Sequence, residues 1–149
     1  MRPVISAFLA LIGLAACGKD SSDPSQSAPP NIAGNWTYTT SNLTGSGLTC
    51  SSSGTTMTIT QQDATFTGTY SGGMLTCSAV GGSASQPITG GTVVNGSLSS
   101  TTVAFDMDTP DWHNSGTISG TMMSGTTRIV ATSGTTTFTL NGSFTASRQ

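Results

Sequence analysis

Glutamate is absent from this 149-residue chain, lysine and histidine occur once each, and charged residues of every kind amount to 7%. An average globular protein carries roughly 25%. Six acids against four Lys and Arg leave a net charge of −2. With no basic stripe to neutralise phosphates, nucleic acid is excluded as a partner. The lack of Glu removes the commonest general acid of glycoside hydrolysis, and a small all-β domain hardly offers the cleft that paired aspartates would need. A triad would have to be built on His113, yet no Gly-x-Ser-x-Gly elbow leads into a helix. The chain therefore reads as a non-enzyme that needs no cofactor. Nor is there a membrane-spanning helix, because the longest apolar run, 4–16, falls short of the ~20 residues required.

What the chain has in abundance is small and β-branched. Serine and threonine fill about a third of it, and 19 glycines join the 34% of hydrophobic residues to bring the apolar share to an ordinary level. Threonine suits the solvated face of a sheet. After residue 17 the apolar residues recur at every second position, never at three and four, so strands are expected throughout and helices nowhere. The chain is long enough for one domain.

Residues 1–16 read as an address. Arg2 gives a positive start, an apolar stretch follows, and Leu14-Ala15-Ala16-Cys17 ends it. This tetrapeptide resembles the lipobox of bacterial lipoproteins. The resemblance implies cleavage before Cys17, acylation of Cys17 by palmitate-type chains, and anchorage in the cell envelope. Gly18 in place of Asp implies the outer membrane, with the domain in the periplasm or at the surface. Residues 17–31, rich in Ser and Pro, are expected to be a disordered tether, and 32–149 the folded domain. Setting Cys17 aside leaves Cys50 and Cys77, an even pair in an oxidising compartment, where a disulfide is expected. A metal pair or two buried thiols are the alternatives.

Strands are expected at 34–40, 55–61, 64–71, 74–80, near Val94 and Leu98, and at 102–107, 116–123, 126–132 and 135–147, with loops at 41–54, 81–91 and 108–115. A pattern of apolar, polar, Gly, polar, apolar recurs around Gly68, Gly96, Gly120 and Gly142. Each of these glycines shares a face with its apolar neighbours and is expected to bend an inward-facing strand. The expected inward set is Trp36, Tyr38, Met57, Ile59, Phe66, Tyr70, Val94, Leu98, Val103, Phe105, Met107, Ile118, Met122, Phe138, Leu140 and Phe144. The fold class is all-β: an up-and-down antiparallel barrel of about eight strands, with a β-sandwich as the alternative.

Gly34-Asn35-Trp36 on the first strand and Arg148 after the last resemble the calycin superfamily of lipocalins and avidins. That resemblance implies a tryptophan closing one barrel end with the basic side chain laid across it. The biotin-binding chemistry does not carry over, since pocket tryptophans are lacking and Gly142 stands where a buried aspartate is needed. Tyr38, Tyr70 and Trp112 are the candidates to line a mouth for a small hydrophobic ligand, against a plain role in packing. Asp106, Asp108 and Asp111 are a candidate Ca²⁺ loop, against a solvated hairpin turn. The expected function is that of an anchored envelope lipoprotein binding a small hydrophobic ligand or an envelope protein. The alternatives are a structural lipoprotein with a solid barrel, or a protease inhibitor. A Cys17→Ser variant is expected to leave the membrane fraction on cell fractionation, and its retention there would refute lipidation.

Overall fold

The computed structural model describes residues 28–149, without the side chains of Thr109, Pro110 and Ser133. The lipobox, Cys17 and most of the tether lie outside the described residues. Ten strands follow one another: β1 (Gly34–Gly45), β2 (Leu48–Gln62), β3 (Thr65–Ser71), β4 (Met74–Ala79), β5 (Gly82–Pro87), β6 (Gly91–Leu98), β7 (Thr102–Met107), β8 (Thr109–Ser119), β9 (Met122–Ser133) and β10 (Thr136–Arg148). Every pairing is antiparallel. Strands β1, β2, β3, β6, β7, β8, β9 and β10 form a ring that closes because β1 pairs with both β2 and β10. The architecture is a closed eight-stranded barrel, and the sandwich alternative falls away.

Strands β4 and β5 are an addition to that ring. β2 is long enough to serve two neighbours on one side: its 56–62 half pairs with β3, and its 49–53 half pairs with β4. The β4–β5 hairpin thus continues the wall upward past the end of β3. Cys50 and Cys77 are Cα partners in this ladder, 4.0 Å apart, and are joined by a disulfide. The bridge fastens the added hairpin to the barrel across a sequence separation of 27.

Three expected loops are strands. Segment 41–54 continues the β1–β2 hairpin, 81–91 contains β5, and 108–115 is mostly β8. Their Gly, Ser and Asn content reads as loop, yet ladder pairing overrides weak strand propensity when neighbouring strands supply the hydrogen bonds. Inward-facing positions also shift. Val93 is fully buried and Val94 is not, because Asn95, in the left-handed region at φ 54, adds a bulge that breaks the alternation of β6. Ile118–Met122 is no bent strand but a hairpin turn between β8 and β9, with Gly120 at φ 58. Met123 therefore faces inward opposite Ile118, while Met122 is 51% exposed. Phe138 is only half-buried. The strand corner that alternation missed is at Gly116 and Gly125, which are opposed in β8 and β9. A Cβ on either would come within 2.2 Å of a backbone oxygen on the other strand.

The principal core contains Ile32, Trp36, Tyr38, Met57, Phe66, Val93, Phe105, Met107, Met123 and Phe144, with Trp112 packed against it. Edge-on and stacked rings fill its centre: Tyr38 lies 5.8 Å from Phe144, and Phe105 lies 5.6 Å from Phe144. Trp36 plugs one end, its indole N–H donating to the Ile32 carbonyl at 2.8 Å. The Arg148 guanidinium sits 5.7 Å from the Trp36 ring centre and donates to the carbonyls of Asn31 and Ala33. Such a cation over an aromatic face contributes about 0.5–2 kcal/mol. A second, smaller core of Leu43, Cys50 and Leu140, with Leu48, Leu75, Cys77 and Ile129, occupies the other end beneath the hairpin. Met123→Ala is expected to cost about 2–5 kcal/mol and Met122→Ala under about 0.5 kcal/mol, measured by denaturant unfolding; equal losses would contradict the assigned facing of β9.

Candidate functional site

Four inward side chains from three strands meet between the two cores. Tyr38 comes from β1, Trp112 and Asn114 from β8, and Thr127 from β9 directly opposite Asn114. Asn114 is wholly buried, and its Oδ1 accepts a 2.8 Å hydrogen bond from the Tyr38 hydroxyl. Its Nδ2 has no partner, and neither do Trp112 Nε1 or Thr127 Oγ1, all buried. Thr55 Oγ1 on β2 is in the same condition. A buried polar atom without a partner costs about 1–3 kcal/mol, so such a group calls for an explanation. Burial pushes the Tyr38 phenol well above its ordinary value. Thr127 and Trp112 pull the other way, lying close enough to favour the ionised form without completing hydrogen bonds.

The three aromatic candidates come together here. Trp112 stands edge-on to Tyr38 at 6.3 Å and to Tyr70 at 5.9 Å. Tyr70 lies at the rim, where its hydroxyl donates to the Asp108 carboxylate. Asp108 also accepts from the Thr92 backbone N–H at 2.7 Å, and its carboxylate rests on the Cα of Gly91 where any Cβ would collide with it. A left-handed φ of 63° at Asp108 turns the chain from β7 into β8. Burial alone would raise the Asp108 carboxyl, but hydrogen bonds from Tyr70 and Thr92 outweigh it and hold the group below its usual value. Burial, then the neighbouring Asp108, raises the Tyr70 phenol.

The three aspartates do not share a site. Asp106 is buried on the outer face of β7, where it meets His113 Nδ1 at 2.6 Å and accepts from Asn95 Nδ2 at 2.8 Å. Asp108 is committed to Tyr70 and Thr92, and Asp111 is exposed. Among the described residues no group of three or more His, Cys, Asp or Glu side chains is arranged to hold a metal ion. The His113–Asp106 contact is a cross-strand pair on the barrel wall, with the His113 side chain half exposed. At the other end, an open hollow of about 470 Å³ lies under the incoming chain, lined by residues such as Pro29, Gln61 and Asp63.

Asn114, Thr127 and Thr55 were not among the sequence candidates. The signal for Asn114 was present: counting back by twos from Ile118 places Trp112 inward and passes through Asn114. Its amide reads as that of a loop residue instead. No family model, curated protein or solved structure matches the chain.

The Tyr70–Asp108 pair sets a pH dependence. A carboxyl held below its free value near 3.9 contributes stability that is complete at neutral pH and lost as pH falls through the folded value. Thermal melts between about pH 4 and 2 are expected to fall less steeply for Asp108→Asn than for the parent chain, from a lower start at neutral pH. Identical acid limbs would remove the pair from the account.

Proposed function

We propose that this chain is a lipid-anchored cell-envelope protein whose barrel holds a small, neutral, largely apolar molecule in its interior beside Tyr38, Tyr70 and Trp112. The carrying observation is the set of unpartnered donors, Trp112 Nε1, Asn114 Nδ2 and Thr127 Oγ1, buried beside those rings. A ligand carbonyl, ether or hydroxyl oxygen is the complement they lack, and aromatic and aliphatic side chains suit the rest of it. Neutrality follows from the charge map: the charged side chains of the described residues are exposed, except Asp106, which takes the outer face. The anchor rests on the lipobox resemblance of Leu14–Cys17. Trp36 under Arg148 at the closed end supports the calycin-like reading of the barrel.

A second reading, a solid structural barrel, has its own support in the fully buried rings of Trp36, Phe105 and Phe144. Thr127→Val separates the two. It removes an unsatisfied hydroxyl at nearly constant shape, so the empty domain should gain about 1 kcal/mol in either case. Native mass spectrometry of the protein isolated from its own cells is expected to show a bound small molecule that the Thr127→Val variant retains poorly. A bare mass for both proteins would leave the structural reading standing and overturn the binding one.

A further inference from the structure

A closed barrel has no free edges, but this one carries a hairpin that does. Among the described residues, β5 is hydrogen-bonded to β4 on one side and to no strand on the other. The orientation of its free groups follows from the ladder. Cys50 and Cys77, at a Cα distance of 4.0 Å, have the close spacing of a pair that exchanges no backbone hydrogen bonds. The N–H and C=O of Cys77 therefore point toward β5, and those of its partner Ala84 point back. By alternation, Ser83, Ser85 and Pro87 turn theirs to the open edge, where Pro87 offers only a carbonyl.

Natural edges are guarded by charge, interior proline or bulges. β5 has none of these within Gly82–Ser85, all six of its residues are exposed, and the stretch 64–105 contains no charged residue at all. The apolar surface is distributed to match. Three large apolar side chains are exposed among the described residues, and two belong to this hairpin: Val80 at its tip, fully exposed, and Met74 at its root, 42% exposed. They lie at opposite ends of one strand pair.

We propose that β5 pairs antiparallel with β5 of a second copy of this chain, about a two-fold axis through Ala84. That register sets Ser83 opposite Ser85 of the second copy and gives about four backbone hydrogen bonds, two for each such pair. It also brings Val80 at the tip of each copy to the Pro87 end of β5 in the other, with Met74 one strand behind on β4. The contact is isologous, as a two-fold requires. The absence of charge from the hairpin means that nothing repels the second copy. The disulfide holds the root of the hairpin against β2, which presents the edge in one orientation. A contact of one strand pair is far smaller than the ~1,600 Å² of a standard stable interface, so the dimer is weak and its test must trap it.

The photo-crosslinker benzoylphenylalanine placed at Ser83 of the full chain, expressed in a bacterial host and irradiated, should give a dimer-sized adduct whose linked peptides both come from the 74–90 segment. The same probe at Thr67, exposed on the barrel wall, should not. Ser85→Pro deletes an outward N–H and spares the β4–β5 ladder, so it should cut the adduct by roughly tenfold or more. Ser85→Lys, which leaves the backbone intact and sets like charges across the axis, should do the same. No adduct, an adduct with a different protein, or an adduct that both Ser85 variants leave undiminished would overturn the proposal.

Discussion

Strand β1 must satisfy two neighbours at once, and the rest of the molecule depends on its doing so. It runs beside β2 from Gly34 to Gly45 and beside β10 from Trp36 to Thr44. Without the second pairing the sheet would have two long edges and two faces, and too few large apolar residues to cover either. With it, the edges of the ring vanish and one face becomes an interior that about twenty side chains can fill. The threonine-rich outer face then needs no cover. Thr39 and Ser41 meet Thr145 and Ser143 across the closing seam through hydroxyl contacts of 2.7 and 2.9 Å. Closure also explains why bulges gather on this strand. Thr40 and Ser52 bond to each other through both side chains and backbone where the β1–β2 register slips.

A barrel filled in this way would be most stable with an interior of hydrocarbon alone. This one departs from that at mid-height, where Asn114, Thr127 and Thr55 stand buried with atoms unpaired. Packing alone gives no reason for the departure, since an apolar residue of the same shape would serve better at Thr127. Proteins that keep such groups tend to use them, and stability given up at a site is a common companion of function. The group also sits beside the one junction where Tyr38, Tyr70 and Trp112 meet. Tyr70 in turn is tied to Asp108, so the rim and the buried group are joined by a continuous run of contacts.

The fold was legible because its period is legible. Alternation in β1, β2, β3, β7 and β10 identifies Trp36, Tyr38, Met57, Ile59, Phe66, Phe105 and Phe144 as inward without any knowledge of pairing. It fails where the backbone adds a residue. The bulge at Asn95 and the turn at Gly120 each shift the alternation locally, so Val93 and Met123 take the places that period alone assigns to Val94 and Met122. It also fails where composition argues against strand, as in Gly82–Pro87, whose conformation is imposed by β4 rather than by its own residues. The aromatic part of the candidate site was within reach because rings are conspicuous. Its polar part was not, because an inward Asn looks in sequence like a turn residue, and only the pairing of Asn114 with Thr127 shows that both are inside.

The two indole N–H groups offer the most direct measurement of the central claim, that the buried donors around Trp112 serve a bound molecule. Trp36 Nε1 has a partner within the chain and Trp112 Nε1 does not. Proton–nitrogen NMR spectra should be recorded on protein isolated under native conditions and again after unfolding and refolding in clean buffer. The account predicts that the Trp112 signal moves and exchanges faster with solvent in the refolded sample, while the Trp36 signal stays where it was. Coincident spectra for both indoles would contradict it.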